Sequence, residues 1–125
     1  MATHSRLVTP SNSVILVMDP QLGKIPNSMN GRVVAATDSC VAVGTKEEYE
    51  GPTRIRITDE VSDDTPPLKV HDGAVEVTSG EIVVANILGE AFLRWPVEGT
   101  SVGLQIYINH STEPDEIVVV VGGVT

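Results

Sequence analysis

Aromatic residues are nearly absent: Tyr49, Phe92, Trp95 and Tyr107 are the whole set in 125 residues. Val, Ile, Leu and Ala must therefore fill the core, and β-branched side chains are stiff and suit a pleated surface, so strands are favoured. The same scarcity argues against a sugar-binding groove flanked by paired carboxylates. Cysteine is reduced to Cys40, which rules out an intramolecular disulfide and a zinc site built from several thiolates. Both absences fit a reducing compartment. No hydrophobic run is long enough to span a bilayer, and residues 1–13 lack the basic-then-apolar form of a secretion signal. The expectation is a soluble cytoplasmic protein.

Bases are scarce too. Seventeen acids stand against 8 Lys and Arg, a formal net charge of −9. Such a surface repels nucleic acid, whose binding depends on phosphate neutralisation, and gains nothing from an anionic membrane. It attracts a basic protein and speeds the encounter. The plainer role of the charge is solubility.

What is present is period-two alternation. The length suits one domain with a core that needs no disulfide or metal. Residues 1–12 are read as a flexible N-terminal arm and residues 13–125 as one domain. Ser13 to Asp19 reads as a strand ended by Pro20, which cannot donate to a ladder. Arg32 to Ala36 and Cys40 to Gly44 read as a hairpin about Asp38-Ser39. In Thr53 to Thr58, Ile55 and Ile57 face one way and Arg54 and Arg56 the other. Leu68 to His71 is read as a strand that stops at an Asp72-Gly73 turn, with Ala74 to Thr78 following. Glu81 to Leu88, Ala91 to Val97, Val102 to Asn109 and Asp115 to Val121 complete the set. A helix over Glu81 to Trp95 is set aside, because Ile82, Val83, Val84 and Ile87 are β-branched and no cap precedes them. The pattern predicts an all-β, two-sheet antiparallel β-sandwich of about eight strands, with a small β-barrel as the alternative.

No catalytic set emerges. His4, His71 and His110 stand apart from one another and from other ligand-type residues, so neither metal ligation nor general-base chemistry is indicated. Cys40 opens an apolar strand with no neighbouring base to activate it. No nucleophile elbow or phosphate loop is present. The chain is therefore expected to bind rather than catalyse, without a cofactor. Two acidic groups flank the strand Thr53 to Thr58: Glu47, Glu48 and Glu50 before it, and Asp59, Glu60, Asp63 and Asp64 after it. They are the candidate partner-binding residues, facing a basic protein much as nucleic acid would. The second group could also offer oxygens to calcium, although the EF-hand spacing and glycine are missing.

Several segments in order resemble one family. These are Asn30-Gly31-Arg32-Val33-Val34-Ala35-Ala36-Thr37-Asp38-Ser39-Cys40-Val41-Ala42-Val43, the alternating strand Thr53 to Thr58, and the hairpin Asp72-Gly73-Ala74-Val75-Glu76-Val77 with Glu81-Ile82-Val83-Val84-Ala85. Phe92-Leu93-Arg94-Trp95-Pro96-Val97-Glu98-Gly99 follows as a strand, proline, glycine step. From Ser13 to Val121 the arrangement is similar to the competence protein J family, small bacterial inhibitors of a DNA-entry nuclease. Where that family carries an aromatic just after the glycine, this chain has Thr100-Ser101-Val102. The resemblance implies an acidic β-sandwich that blocks a nuclease, and it supplies no site residues of its own. Two other readings stand beside it. One is a homo-oligomeric structural or assembly protein, because Glu81 to Leu88 and Ile117 to Val121 are apolar on both faces. The other is a calcium-binding β module.

Overall fold

A computed structural model of the chain describes residues 3–122. The strands are β1 (Thr3–Val8), β2 (Val14–Met18), β3 (Val34–Ala36), β4 (Cys40–Gly44), β5 (Thr53–Thr58), β6 (Leu68–Glu76), β7 (Glu81–Ala85), β8 (Ala91–Pro96), β9 (Ser101–Ile108) and β10 (Glu116–Val121). They form two five-stranded sheets, ordered β1-β5-β10-β9-β6 and β3-β4-β2-β7-β8, stacked as a sandwich and not closed into a barrel. Every pairing is antiparallel except one: β10 runs parallel to β5, with Glu116 opposite Arg54 and Val120 opposite Thr58. The only helical pieces among the described residues are two short 3-10 turns, Ser11–Ser13 and Glu48–Glu50. None is long and apolar enough to cross a membrane.

Alternation places the core as the sequence implies. Ile15, Val17, Val41, Val43, Ile82 and Val84 from one sheet meet Ile55, Ile57, Leu104, Ile106, Ile117 and Val119 from the other. All of these are essentially inaccessible to solvent, and no aromatic ring is among the fully buried side chains. Each such burial contributes roughly 1.5–3 kcal/mol. Phe92 and Trp95 sit at a corner instead. There β1 of one sheet meets β8 of the other: the His4 ring contacts Trp95 edge-on at 5.7 Å, and Arg6 donates to the Phe92 carbonyl at 3.3 Å.

The structure adds to the sequence reading in three places. The stretch read as an arm holds β1, an edge strand paired residue for residue with β5 from Thr3↔Thr58 to Val8↔Thr53; Met1 and Ala2 lie outside the described residues. With this strand added, and residues 68–76 forming one strand where two were read, the described residues hold ten. Asp72-Gly73 is not a turn. Both residues pair with β9, opposite Gln105 and Leu104, and the irregularity is a bulge between Lys69 and His71. The eight-residue β9 offers a continuous ladder, and that outweighs the local turn preference. Finally, β7 and β10 are covered on both faces within one chain, while Ile87 and Leu88, read as part of the β7 strand, lie beyond its end at Ala85 and stay exposed. Residues 20–33 cross the outer face of β4, β2 and β7, where Leu16, Met18, Cys40, Ala42, Val83 and Ala85 form a second apolar cluster with Met29 against it. Residues 59–67 cross the other sheet, where Val118 and Val120 are buried although they point away from the inter-sheet core.

The first crossing begins at Asp19, which is fully buried. Its Oδ1 accepts from the backbone N–H of Gln21 at 2.7 Å and of Leu22 at 3.1 Å. Its Oδ2 accepts from the backbone N–H and hydroxyl of Thr78 and from the Ser79 N–H at 2.9 Å. Gly23 closes the same turn, donating to the Asp19 carbonyl at 2.9 Å; a Cβ there would lie 2.7 Å from that oxygen and 2.6 Å from Met18 Sδ. Burial pushes the Asp19 carboxyl up, but the N–H groups of Thr78, Ser79, Gln21 and Leu22 more than offset it and hold the group well below the usual carboxylate range.

Replacing Asp19 with Ala leaves these donors facing a void and is expected to cost about 3–5 kcal/mol, with Asp19→Asn costing about 1.5–3 kcal/mol. A depressed carboxyl pKa contributes stability that is complete above the unfolded value, roughly pH 4, and disappears as pH falls through the folded value. Urea titrations at several pH values are therefore expected to show the gap between wild type and Asp19→Asn wide at pH 7 and narrowing below about pH 4. A gap independent of pH would show that the ionised carboxylate is not what holds this joint.

Candidate functional site

The parallel pairing of β5 and β10 has a direct consequence: both strands begin at the same end of the sandwich. The turn that precedes β5 carries Glu47, Glu48 and Glu50, and the loop that precedes β10 carries Glu113 and Asp115, with Glu116 opening the strand. Three contacts tie the two loops together. The Lys46 N–H donates to the Pro114 carbonyl at 3.0 Å, the Arg54 N–H donates to the Asp115 carbonyl at 2.8 Å, and Lys46 Nζ pairs with Asp115 Oδ2 at 3.3 Å. Asn109 braces the second loop, donating to Asp115 Oδ1 at 2.7 Å and accepting from the Asp115 and Glu116 N–H groups, both at 3.1 Å. The Asn109 amide, set against burial and joined by Lys46, holds the Asp115 carboxyl below its ordinary value. Ser13 donates to Glu47 Oε2 at 3.2 Å, which fastens the β1–β2 turn to the same surface. Glu47, Glu48, Glu50 and Glu113 are exposed.

The second predicted group is not part of this surface. Asp59, Glu60, Asp63 and Asp64 follow the far end of β5, roughly 20 Å away at ~3.3 Å per residue over its length. Asp64 is also engaged internally. It accepts from the Ser62 hydroxyl and from Arg56 Nη1 at 2.8 Å, and these two groups hold its carboxyl below the ordinary value. The pair anchors the loop that crosses the sheet. The seven predicted acids thus divide. Glu47, Glu48 and Glu50 gain Glu113, Asp115 and Glu116 as neighbours, while the Asp59 to Asp64 group lies elsewhere and is partly structural. Sequence spacing carried no sign of this companionship, because it depends on which strand lies beside β5 and in which direction.

The remaining candidate groups have structural surroundings. Among the described residues no group of three or more His, Cys, Asp and Glu is placed to hold a metal ion. His110 Nδ1 accepts from the N–H of Thr112 at 3.2 Å and of Glu113 at 3.0 Å, so it shapes the loop before β10. His71 is half-buried, its Nε2 has no hydrogen-bond partner, and burial pulls its pKa down. Cys40 lies under the crossing residues 20–33, and burial pushes its thiol up to about 12.

No family model matches this chain, and no curated protein does. Solved structures do. The architecture is that of a class of small two-sheet sandwiches. One is ComJ, the inhibitor of the DNA-degrading activity of NucA from Bacillus subtilis: the likeness has a TM-score of 0.66 at 13% identity and covers 97% of this chain and 94% of ComJ. Another is the protein described as crocagin biosynthetic gene J, with a TM-score of 0.59 at 12% identity and 97% of each chain covered. At these identities the likeness is one of fold. The resemblance read from strand order and turn positions holds at that level, over 97% of this chain.

Buried at so high a pKa, Cys40 is expected to be inert in the folded protein. Ellman's reagent at pH 8 should label less than about one-tenth of the thiol in native protein and all of it in denaturant. Rapid labelling of native protein would mean that residues 20–33 do not cover β4.

Proposed function

We propose that this chain is a cytoplasmic protein inhibitor, not an enzyme, and that it binds a basic protein partner of the nuclease class through its acidic surface. The observation that carries the reading is the convergence of Glu47, Glu48 and Glu50 with Glu113, Asp115 and Glu116 at one end of a fold shared with ComJ, a nuclease inhibitor. A nuclease must be basic where phosphates pass, and an array of exposed carboxylates on a rigid strand end competes for that surface. The scaffold suits the task because the loops bearing the acids are cross-linked by Lys46, Asn109 and Ser13, so little ordering entropy is lost on docking. The Asp59 to Asp64 group belongs to the proposal as a secondary contact that steers the encounter.

The test is inhibition. Purified NucA and a panel of other bacterial endonucleases with basic clefts would be assayed for DNA cleavage as the chain is titrated in, at low and high salt. Inhibition of at least one is expected, weakening as salt screens the charges. Glu47→Lys, Glu48→Lys and Glu50→Lys together are expected to weaken it roughly tenfold or more, and Glu60→Lys with Asp63→Lys by less. If no nuclease is inhibited at micromolar chain, the nuclease reading fails. If inhibition survives the triple reversal unchanged, the inhibitor reading stands but this end of the sandwich is not the contact surface.

A further inference from the structure

The crossing residues 20–33 do not lie flat on their sheet. They leave a concave space of about 340 Å³ over the outer face of β2 and β4, a size typical of small-molecule pockets. Its floor is apolar, from Val14, Leu16 and Ala42, and its walls include Ile25, Met29 and Ile87. Ile25 and Ile87 remain 42% and 36% exposed, so the apolar rim is unfilled. One charged side chain lines the space: Arg32.

Arg32, like Lys24 and Arg54, has no carboxylate within 4 Å among the described residues; what sets it apart is that it lines this apolar space. Four other cations, Lys46, Arg56, Lys69 and Arg94, have carboxylate partners within 4 Å, and Arg6 is spent on Phe92. Among the described residues Arg32 has no such partner, and no acid at all occurs between Asp19 and Asp38 in a chain whose net charge is −9. A guanidinium without a counter-charge, in a stretch of chain that carries no acid and on the rim of an apolar space, presents an anion site, with Glu47 reaching the opposite edge through Ser13. A second feature coincides with it. The non-glycine residues held at positive φ are Asn12, Ser13 and Asn30; the first two line this space and the third precedes Gly31, which also lines it. Backbone held in such sparsely populated conformations concentrates at ligand-binding rims.

We infer that this pocket binds a small amphipathic carboxylate: an unbranched acyl chain lying on Val14, Leu16 and Ala42, with its carboxylate on Arg32. A flat protein contact would not need a hollow closed by separate segments of chain, the turn at Asn12 and Ser13, residues 25–33, and Ile87. The inference does not rest on the inhibitor reading. It concerns a different surface and a different ligand.

The probe is decanoate below its micelle concentration, followed by methyl-resolved NMR of the full chain. Saturable shifts are expected at Val14, Leu16, Ala42, Met29 and Ile87. Arg32→Ala, an exposed substitution, should weaken binding roughly tenfold, since an ionic hydrogen bond is lost. Decanol should bind wild type about as poorly as decanoate binds that variant. Asn27→Trp, at the exposed lip, should block the space. Absence of saturable shifts, shifts confined to other faces, or equal binding of decanol and decanoate to wild type would each overturn the inference. So would a short peptide ending in Leu that binds more tightly than decanoate, which would reassign the pocket to a polypeptide C terminus. Unchanged resonances away from the pocket in Arg32→Ala would establish that the loss of affinity is local.

Discussion

The rest of the molecule hangs on the carboxylate of Asp19. It sits at the end of β2, in the middle of one sheet, and grips Thr78 and Ser79, where the chain passes from β6 in one sheet to β7 in the other. It also starts the crossing segment, through Gln21 and Leu22. One group thus fixes three things: where the sheets meet, where the β6–β7 passage turns, and the angle at which residues 20–33 leave β2. A buried carboxylate without donors would be strongly destabilising. With both oxygens saturated by N–H groups it becomes a rigid joint, and a neutral amide could satisfy only part of that arrangement.

The joint explains how a small chain with few aromatics buries enough surface. Neither sheet can rely on large rings, so β-branched strands are packed on both of their faces. The inner faces meet each other. The outer faces are covered by long crossings, one launched by Asp19 and the other pinned by the Arg56–Asp64 pair. Cys40, Ala42 and Ala85 lie under the first crossing, where small side chains let a loop come close.

Much of this was legible in the sequence, for identifiable reasons. Strands β5, β7, β9 and β10 announce themselves by alternation or by β-branched runs, because those patterns reflect burial directly. β1 is silent: five of its six residues are exposed, and it is held by its ladder to β5 and by the His4 and Arg6 contacts. The Asp72-Gly73 signal misleads because a local turn preference yields to the ladder with β9, which is unbroken from His71 to Glu76. The candidate site was half legible. Glu47, Glu48 and Glu50 stand out as a cluster, but their partners Glu113, Asp115 and Glu116 are more than sixty residues away and arrive only through the parallel register of β10 on β5. Asp19 was half legible as well: its bonds from Gln21 and Leu22 are local, but the Thr78 and Ser79 N–H groups that bury it come from 59 and 60 residues on.

That single parallel pairing also accounts for the electrostatic character of the molecule. In an antiparallel neighbour the acids before β10 would sit at the far end of β5, beside Asp59 to Asp64, and Glu47, Glu48 and Glu50 would stand alone at theirs. As built, one end gathers six carboxylates against Lys46 and Arg54, and like charges held this close repel. The fold bears that repulsion by bracing the loops with uncharged groups, Asn109 and Ser13, more than by neutralising them. A surface so arranged gains most when an external cation arrives, because docking relieves repulsion already present in the free protein. Arg32 carries the opposite charge, and its pocket adjoins the same end: Ser13 lines the pocket while donating to Glu47. The two surfaces therefore share one residue, Ser13, and the turn that carries it.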